Sequence, residues 1–274
     1  MNERRRFDIT ARCAYNRSMT LGVNVPRSMA LLVSVADADE AMAALEGGAD
    51  IIDAKDPARG ALGAVRPEVL PEIHTAVGGR AMVTAALGDA SDVHRIERAA
   101  AEYSGRGASL VKIGFASVCD ARRVDALLAA AVRGCVPGSG VVAVAYADAA
   151  TVGSIDAWSL VDVAARSGAR GVLVDTADKL GEGLTALWSC TQILSWVAEA
   201  RGWGLIAALA GKLGPDDFGI VRDAGADVIG VRGAACATER TSRVSADRVR
   251  ILRSRLNDDV TVGIGAFARS ALRV

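Results

Sequence analysis

From residue 29 onward, short apolar runs alternate with Ala-rich stretches that carry apolar residues at helical spacing. The apolar runs predict strands at 29–35 (MALLVSV), 50–54 (DIIDA), 81–86 (AMVTAA), 109–113 (SLVKI), 140–146 (GVVAVAY), 171–175 (GVLVD), 204–209 (GLIAAL) and 227–231 (DVIGV). The stretches between them predict helices near 38–47, 67–78, 91–105, 120–133, 156–167, 188–201, 215–224 and 245–256. Runs of β-branched and apolar residues without alternation suit strands that are covered on both faces. Eight strands, each followed by a helix, predict a parallel sheet that closes into a (β/α)8 TIM barrel.

An internal repeat supports closure over an open, doubly wound sheet. Gly-Ala pairs precede the even strands at Gly48-Ala49, Gly107-Ala108, Gly168-Ala169 and Gly225-Ala226, spaced by 59, 61 and 57 residues. Each interval is about two βα units, as repeated quarter-barrels require. The glycine is expected to end the preceding helix in the left-handed conformation. The fifth position after the glycine holds Asp53 and Lys112. The seventh holds Lys55, Asp175 and Arg232. Positions two apart on a strand share a face, so these side chains are expected to point together at the barrel mouth.

The length of 274 residues is spent almost entirely on one such barrel. A single catalytic domain is expected over 29–257, with a tail at 258–274. Residues 1–28 carry many arginines but no apolar period, and read as a disordered extension or an early start, with Met29 as the alternative start. The formal charge is zero and aromatics make up 4%, which argues against a nucleic-acid partner. The apolar runs are too short to cross a bilayer. Five cysteines with no C-x-x-C pair fit a reducing, cytoplasmic setting. The two histidines, His74 and His94, fall on helices, and no H-E-x-x-H occurs. No metal and no cofactor are expected, and proton transfers fall to carboxylates and amines.

Of the 32 basic residues, 28 are arginine; lysine occurs only at Lys55, Lys112, Lys179 and Lys212. All four fall where a strand ends, at the mouth that carries the active site in this fold. An arginine-rich genome explains the missing lysines but not the placement of these. Arginine stays protonated in a protein, whereas lysine can lose its proton and add to a carbonyl as a Schiff base. Its amine must then be depressed from about 10.4, which burial and neighbouring cations both achieve. Asp53 shares a face with Lys55, and Asp175 stands four residues before Lys179. Each is a candidate proton shuttle or a plain rim ion pair. Glycine-bearing turns follow the seventh and eighth strands, with Gly211, Lys212, Gly230, Arg232 and Gly233 as candidate phosphate contacts. Turns at Gly88-Asp89 and Tyr146-Ala147-Asp148 add polar groups. These residues alone do not decide between Lys55 and Lys179 as the imine-forming amine.

The strings LLVSVADADEA, GGADIIDAKDPARGALGA, LVKIGF, VVAVAYADA, VLVDTADKLGEGL, IAALAGKL and DVIGVRGAAC resemble the (5-formylfuran-3-yl)methyl phosphate synthase family from about Met29 to Ser245. The resemblance implies a TIM barrel that condenses two molecules of glyceraldehyde 3-phosphate. The implied product is 4-(hydroxymethyl)-2-furancarboxaldehyde phosphate, formed with loss of phosphate and water by a carbon–oxygen lyase. That product feeds methanofuran in methanogens and its methylofuran-type counterpart in methylotrophs. The resemblance also implies Lys55 as the Schiff-base lysine and importance for Asp53, Lys112, Asp175 and Lys179. The alternatives are a class I aldolase acting on another phosphorylated sugar and a non-catalytic sugar-phosphate-binding barrel. Barrels of this size often associate, so a homo-oligomer is an expectation.

Overall fold

Eight parallel strands close into one barrel in sequential order in the computed structural model, which describes residues 29–257. The strands are β1 (Ala30–Val35), β2 (Ile51–Ala54), β3 (Met82–Asp89), β4 (Leu110–Gly114), β5 (Gly140–Tyr146), β6 (Gly171–Asp175), β7 (Ile206–Leu209) and β8 (Val228–Val231). The helices are α1 (Ala38–Glu46), α2 (Val69–Val77), α3 (Val93–Gly105), α4 (Ala121–Gly134), α5 (Ala157–Arg166), α6 (Leu184–Leu187), α7 (Cys190–Gly202), α8 (Phe218–Asp223) and α9 (246–257). The single-domain (β/α)8 expectation therefore holds. The N-terminal extension 1–28 and the tail 258–274 lie outside the described residues.

The repeat glycines behave as their spacing required. Gly48, Gly107, Gly168 and Gly225 all have positive φ, between 76° and 108°, the region where a side chain carries a steric penalty. At the other helix ends, Asp37, Asp92, Asp120 and Asp156 accept backbone N–H bonds as N-caps of α1, α3, α4 and α5.

Three elements differ from the sequence expectation, each for a local reason. A short helix that was not expected, α6, precedes the helix expected over 188–201, which is α7. Ser189 and Gln192 form a reciprocal capping box that restarts the chain at Cys190. The helix expected over 215–224 opens as a 3-10 turn at Pro215–Asp217, and only Phe218–Asp223 is α-helical. Strand β3 runs on to Asp89, with its pairing to β4 shifted between Ala86 and Asp89, where Gly88 has φ 85°.

Alternation along each strand divides the core. Outward residues such as Val33, Ile52, Val111, Val141 and Val172 pack against the helices. Inward residues fill the barrel: Leu32, Leu110, Val142, Leu173, Ala208 and Val228 make an apolar floor. One step further along the same inward rows stand Ser34, Asp53, Thr84, Lys112 and Asp175, all buried. The interior is thus dry at one end and ionisable at the other.

Candidate active site

The upper end of the barrel opens into a cavity of about 280 Å³. Its wall includes all four lysines of the chain: Lys55, Lys112, Lys179 and Lys212. Asp175, Gly211, Gly230, Arg232 and Gly233 line it as well. Of the ten residues singled out from the sequence, only Asp53 is not part of the wall; it is fully buried directly beneath it.

Asp53 is built into the sheet. Its register neighbours are Ser34 on β1 and Thr84 on β3. Both hydroxyls donate to its carboxylate, at 3.0 and 2.8 Å. The Lys112 amine completes the set at 2.5 Å. Burial alone pushes the Asp53 carboxyl up, but Lys112 and Lys55 outweigh it and hold the group below the usual carboxylate range. Asp53 and Lys55 share a face as their spacing required, yet the partner of Asp53 is Lys112 from the next quarter of the barrel.

A second ion pair stands at the end of β6. Lys179 donates to Asp175 at 2.6 Å, as the four-residue spacing suggested. The backbone N–H of Thr176 also donates to Asp175, at 2.8 Å. Burial raises the Asp175 carboxyl, and Lys179 and Lys55 more than offset it. The loop that carries Lys179 is fixed from below by Asp148, which accepts the N–H groups of Ala177 and Asp178. Asp89 has a similar bracing role. It accepts the Tyr146 hydroxyl at 2.7 Å and the Ala116 N–H at 2.8 Å.

Lys55 lies between these pairs and differs from both. The residue is 7% exposed, and its amine has no hydrogen-bond or salt-bridge partner among the described residues. Burial dominates its ionisation and lowers the amine. Asp175 and Asp53 pull upward, Lys112 and Lys179 pull downward, and the balance is an amine pushed down to about 7. An uncharged, unpaired amine facing a cavity can attack an aldehyde or ketone carbon.

The turns after β7 and β8 bring backbone N–H groups to the same cavity. Gly211 and Lys212 both have positive φ (102° and 59°), and a 3-10 turn at Gly233–Ala235 starts at the end of β8. Successive N–H groups in such turns suit an anion. Among the described residues, the Lys212 amine donates only to the Gly181 carbonyl. Arg232 lines the cavity with its guanidinium engaged by protein groups. All its donors are spent on Glu40, at 2.5 and 3.1 Å, and on the carbonyls of Ser34, Arg240 and Ser242. From the cavity wall, the Arg232 side chain also braces the loop after β8.

Several residues of the site were not singled out in the sequence. Ser34 and Thr84 carried a readable signal, as polar residues on inward positions of the apolar strands LLVSV and MVTAA. Glu40, the partner of Arg232, and Arg240, on the cavity wall, carried none. His74 and His94 are exposed on α2 and α3, outside the cavity wall. Trp158 and Trp188 stack at 4.9 Å, and Trp196 meets Trp188 edge-on at 6.4 Å. Among the described residues, no helix is long and apolar enough to cross a membrane.

Fold and cavity together define a (β/α)8 barrel whose mouth holds a buried free amine between two lysine–aspartate pairs. A sequence profile described as 4-HFC-P synthase matches residues 31–253, and the chain belongs to that family. A (5-formylfuran-3-yl)methyl phosphate synthase of Methanothermobacter thermautotrophicus is 36% identical over 234 residues, covering 84% of this chain and 99% of its own. One from Methanopyrus kandleri is 40% identical over 210 residues, covering 75% and 89%. A protein of Methylorubrum extorquens named as a putative synthase of the same kind is 39% identical over 222 residues, covering 80% and 88%. Among solved structures, KGPDC from Streptococcus mutans in complex with D-R5P superposes with a TM-score of 0.59 at 15% identity, covering 84% of this chain and 98% of that one. A 3-hexulose-6-phosphate synthase gives 0.53 at 21%, covering 82% and 99%. These two likenesses are of fold alone.

Proposed function

We propose that this barrel condenses two molecules of glyceraldehyde 3-phosphate through an imine on Lys55, releasing phosphate and water and forming the furan aldehyde phosphate for which its relatives are named. In methanogens and methylotrophs that product would serve the methanofuran-type cofactors. The observation that carries the proposal is the Lys55 amine: buried, unpaired and pushed down to about 7 on the wall of the cavity. Lys112 and Lys179 are each held by a carboxylate, which favours Lys55 over Lys179 as the nucleophile.

In this reading the Lys55 amine adds to the carbonyl of one triose phosphate and water leaves, giving a protonated imine. The Asp175–Lys179 pair removes the proton on the adjacent carbon, and the electron pair moves into the imine to give an enamine. That carbon attacks the second aldehyde, and Lys112 steadies the developing oxyanion. Phosphate leaves by elimination, a hydroxyl attacks the imine carbon to close the ring and expel the Lys55 amine, and loss of water gives the aromatic furan. Asp53 acts as a positioning residue that holds Lys112. Backbone N–H groups of the turns at Gly211–Lys212 and Gly233, with the Lys212 charge, hold a phosphate while Gly230 lets it approach.

Incubation of the protein with glyceraldehyde 3-phosphate alone tests this. The expected product has the furan mass and absorbs in the near ultraviolet. An intact aldol without that absorbance would assign a class I aldolase instead. Binding without turnover, retained in Lys→Arg variants, would assign a sugar-phosphate-binding barrel.

A further inference from the structure

The cations on the cavity wall divide by what neutralises them. Lys112 has Asp53, Lys179 has Asp175 and Arg232 has Glu40. Two others have no carboxylate partner among the described residues: Lys212, which meets the Gly181 carbonyl, and Arg240. Arg240 is half-buried. Its two terminal nitrogens donate to the carbonyls of Pro57 at 2.7 Å and Gly60 at 2.8 Å. A guanidinium has five donors. The Nε–H and one hydrogen on each terminal nitrogen are therefore left without a partner among the described residues. Burial lowers its ionisation and Asp175 opposes that, but a guanidinium remains charged throughout the working range.

The tethers point in different directions around the rim. Neighbouring strands run β6, β7, β8, β1, β2 around this part of the barrel. Lys212, after β7, is tied back to the loop after β6. Arg240, after β8, reaches forward past β1 to the loop after β2. The backbone of Arg240 is itself anchored, because Arg232 Nε–H donates to its carbonyl at 3.0 Å. A partly desolvated cation met only by carbonyl dipoles is an incomplete arrangement that an anion completes. A fixed planar fork suits phosphate in particular, and its ordering cost is met on folding.

We infer that Arg240 forms a second phosphate subsite, distinct from the one served by Lys212, so that the cavity holds two phosphate groups at once. Assigning those phosphates to two trioses rests on the proposed function; the number of subsites does not. A cavity of about 280 Å³ leaves room for compact phosphorylated molecules only.

Equilibrium dialysis of the full chain against inorganic phosphate counts the subsites. Two per chain are expected in the wild type. R240Q keeps amide donors for the loop carbonyls but loses the charge, and is expected to bind one. K212M also binds one, and the double variant none. R240K retains the second site about tenfold weaker, since an ammonium lacks the fork. A wild-type count of one or none overturns the inference, as does an R240Q variant that binds two with unchanged affinity. With glyceraldehyde 3-phosphate present, borohydride should still trap Lys55 in R240Q while furan formation falls about 100-fold. Absence of trapping in the wild type defeats the proposed function and leaves the dialysis count to decide the subsite. Furan formation at the wild-type rate in R240Q defeats the subsite and leaves the function standing.

Discussion

The two lysine–aspartate pairs that flank Lys55 are alike in chemistry and unlike in setting. Asp53 and Lys112 both project from strands, inside the barrel, with the carboxylate fully enclosed and held by Ser34 and Thr84. Asp175 ends a strand, but Lys179 sits on the loop beyond it, and its side chain keeps 15% of its exposure. A pair built from strands cannot move without moving the sheet. A pair with one member on a loop can separate, rotate and meet water. In the proposed reaction the first pair belongs to the electrostatic frame around Lys55 and the second suits proton traffic. Lys55 needs both: the carboxylates keep the cluster from being wholly repulsive, while burial and the two neighbouring ammonium groups keep its own amine low.

The largest expected effect removes what lies between the pairs. K55R should lower turnover by at least about a thousandfold while substrate binding changes by less than about threefold, because a guanidinium cannot form the imine. Steady-state kinetics with a separate binding measurement checks this. Near-normal turnover would remove Lys55 from the chemistry.

The next effect separates the pairs by stability. D53N leaves the Lys112 ammonium enclosed without its counter-charge and should cost about 3–5 kcal/mol in urea unfolding. D175N should cost less, about 1–2 kcal/mol, since Lys179 can turn towards solvent. D175N should nevertheless lose more activity per unit of stability lost. Equal destabilisation by the two variants would dissolve the distinction.

The pH dependence has two limbs. Both aspartates have folded values below their unfolded ones, so the stability they contribute is present above about pH 4 and is lost as the pH falls through the lower folded values. Lys55 works in the other direction. Its folded value, about 7, lies below the ordinary 10.5, so the unfolded chain binds the extra proton between those limits and stability rises with pH across that window. Chemical denaturation from pH 6 to 10 should show the rise in the wild type and its loss in K55M.

The smallest effect probes the scaffold of the strand-borne pair. T84V removes one hydroxyl from the Asp53 carboxylate and should cost about 1–2 kcal/mol with little change in turnover once the protein is folded. A large loss of activity without a loss of stability would move Thr84 into the chemistry.

Much of this molecule was readable along the chain because its regularities are local. The apolar runs fixed eight strands, and Gly48, Gly107, Gly168 and Gly225 marked quarter-turns by a backbone need that only glycine meets cheaply. Asp175 and Lys179 were visible as a pair because four residues separate them. Capping chemistry at Ser189 and Gln192 was also written locally and marks the start of the helix expected over 188–201. The remaining differences are long-range. Asp53 and Lys112 are 59 residues apart, and only the closure of the barrel makes them partners. The pairing of Arg232 with Glu40, 192 residues away in sequence, was hidden for the same reason. Arg240 was one arginine among 28, with nothing in its neighbourhood to mark it. Lysine could be located because it was scarce; arginine could not, because it was everywhere.

The central claim is that the amine of Lys55 loses its proton near neutrality, rather than near 10.5, and bonds to carbon. Borohydride trapping with glyceraldehyde 3-phosphate, followed across pH with the modified peptide identified by mass, measures both parts at once. The expected result is an adduct on Lys55 whose rate of formation rises with pH to half its plateau near pH 7. An adduct on Lys179 or Lys112, or a rise that begins only as the pH nears the ordinary lysine value of 10.5, would contradict it.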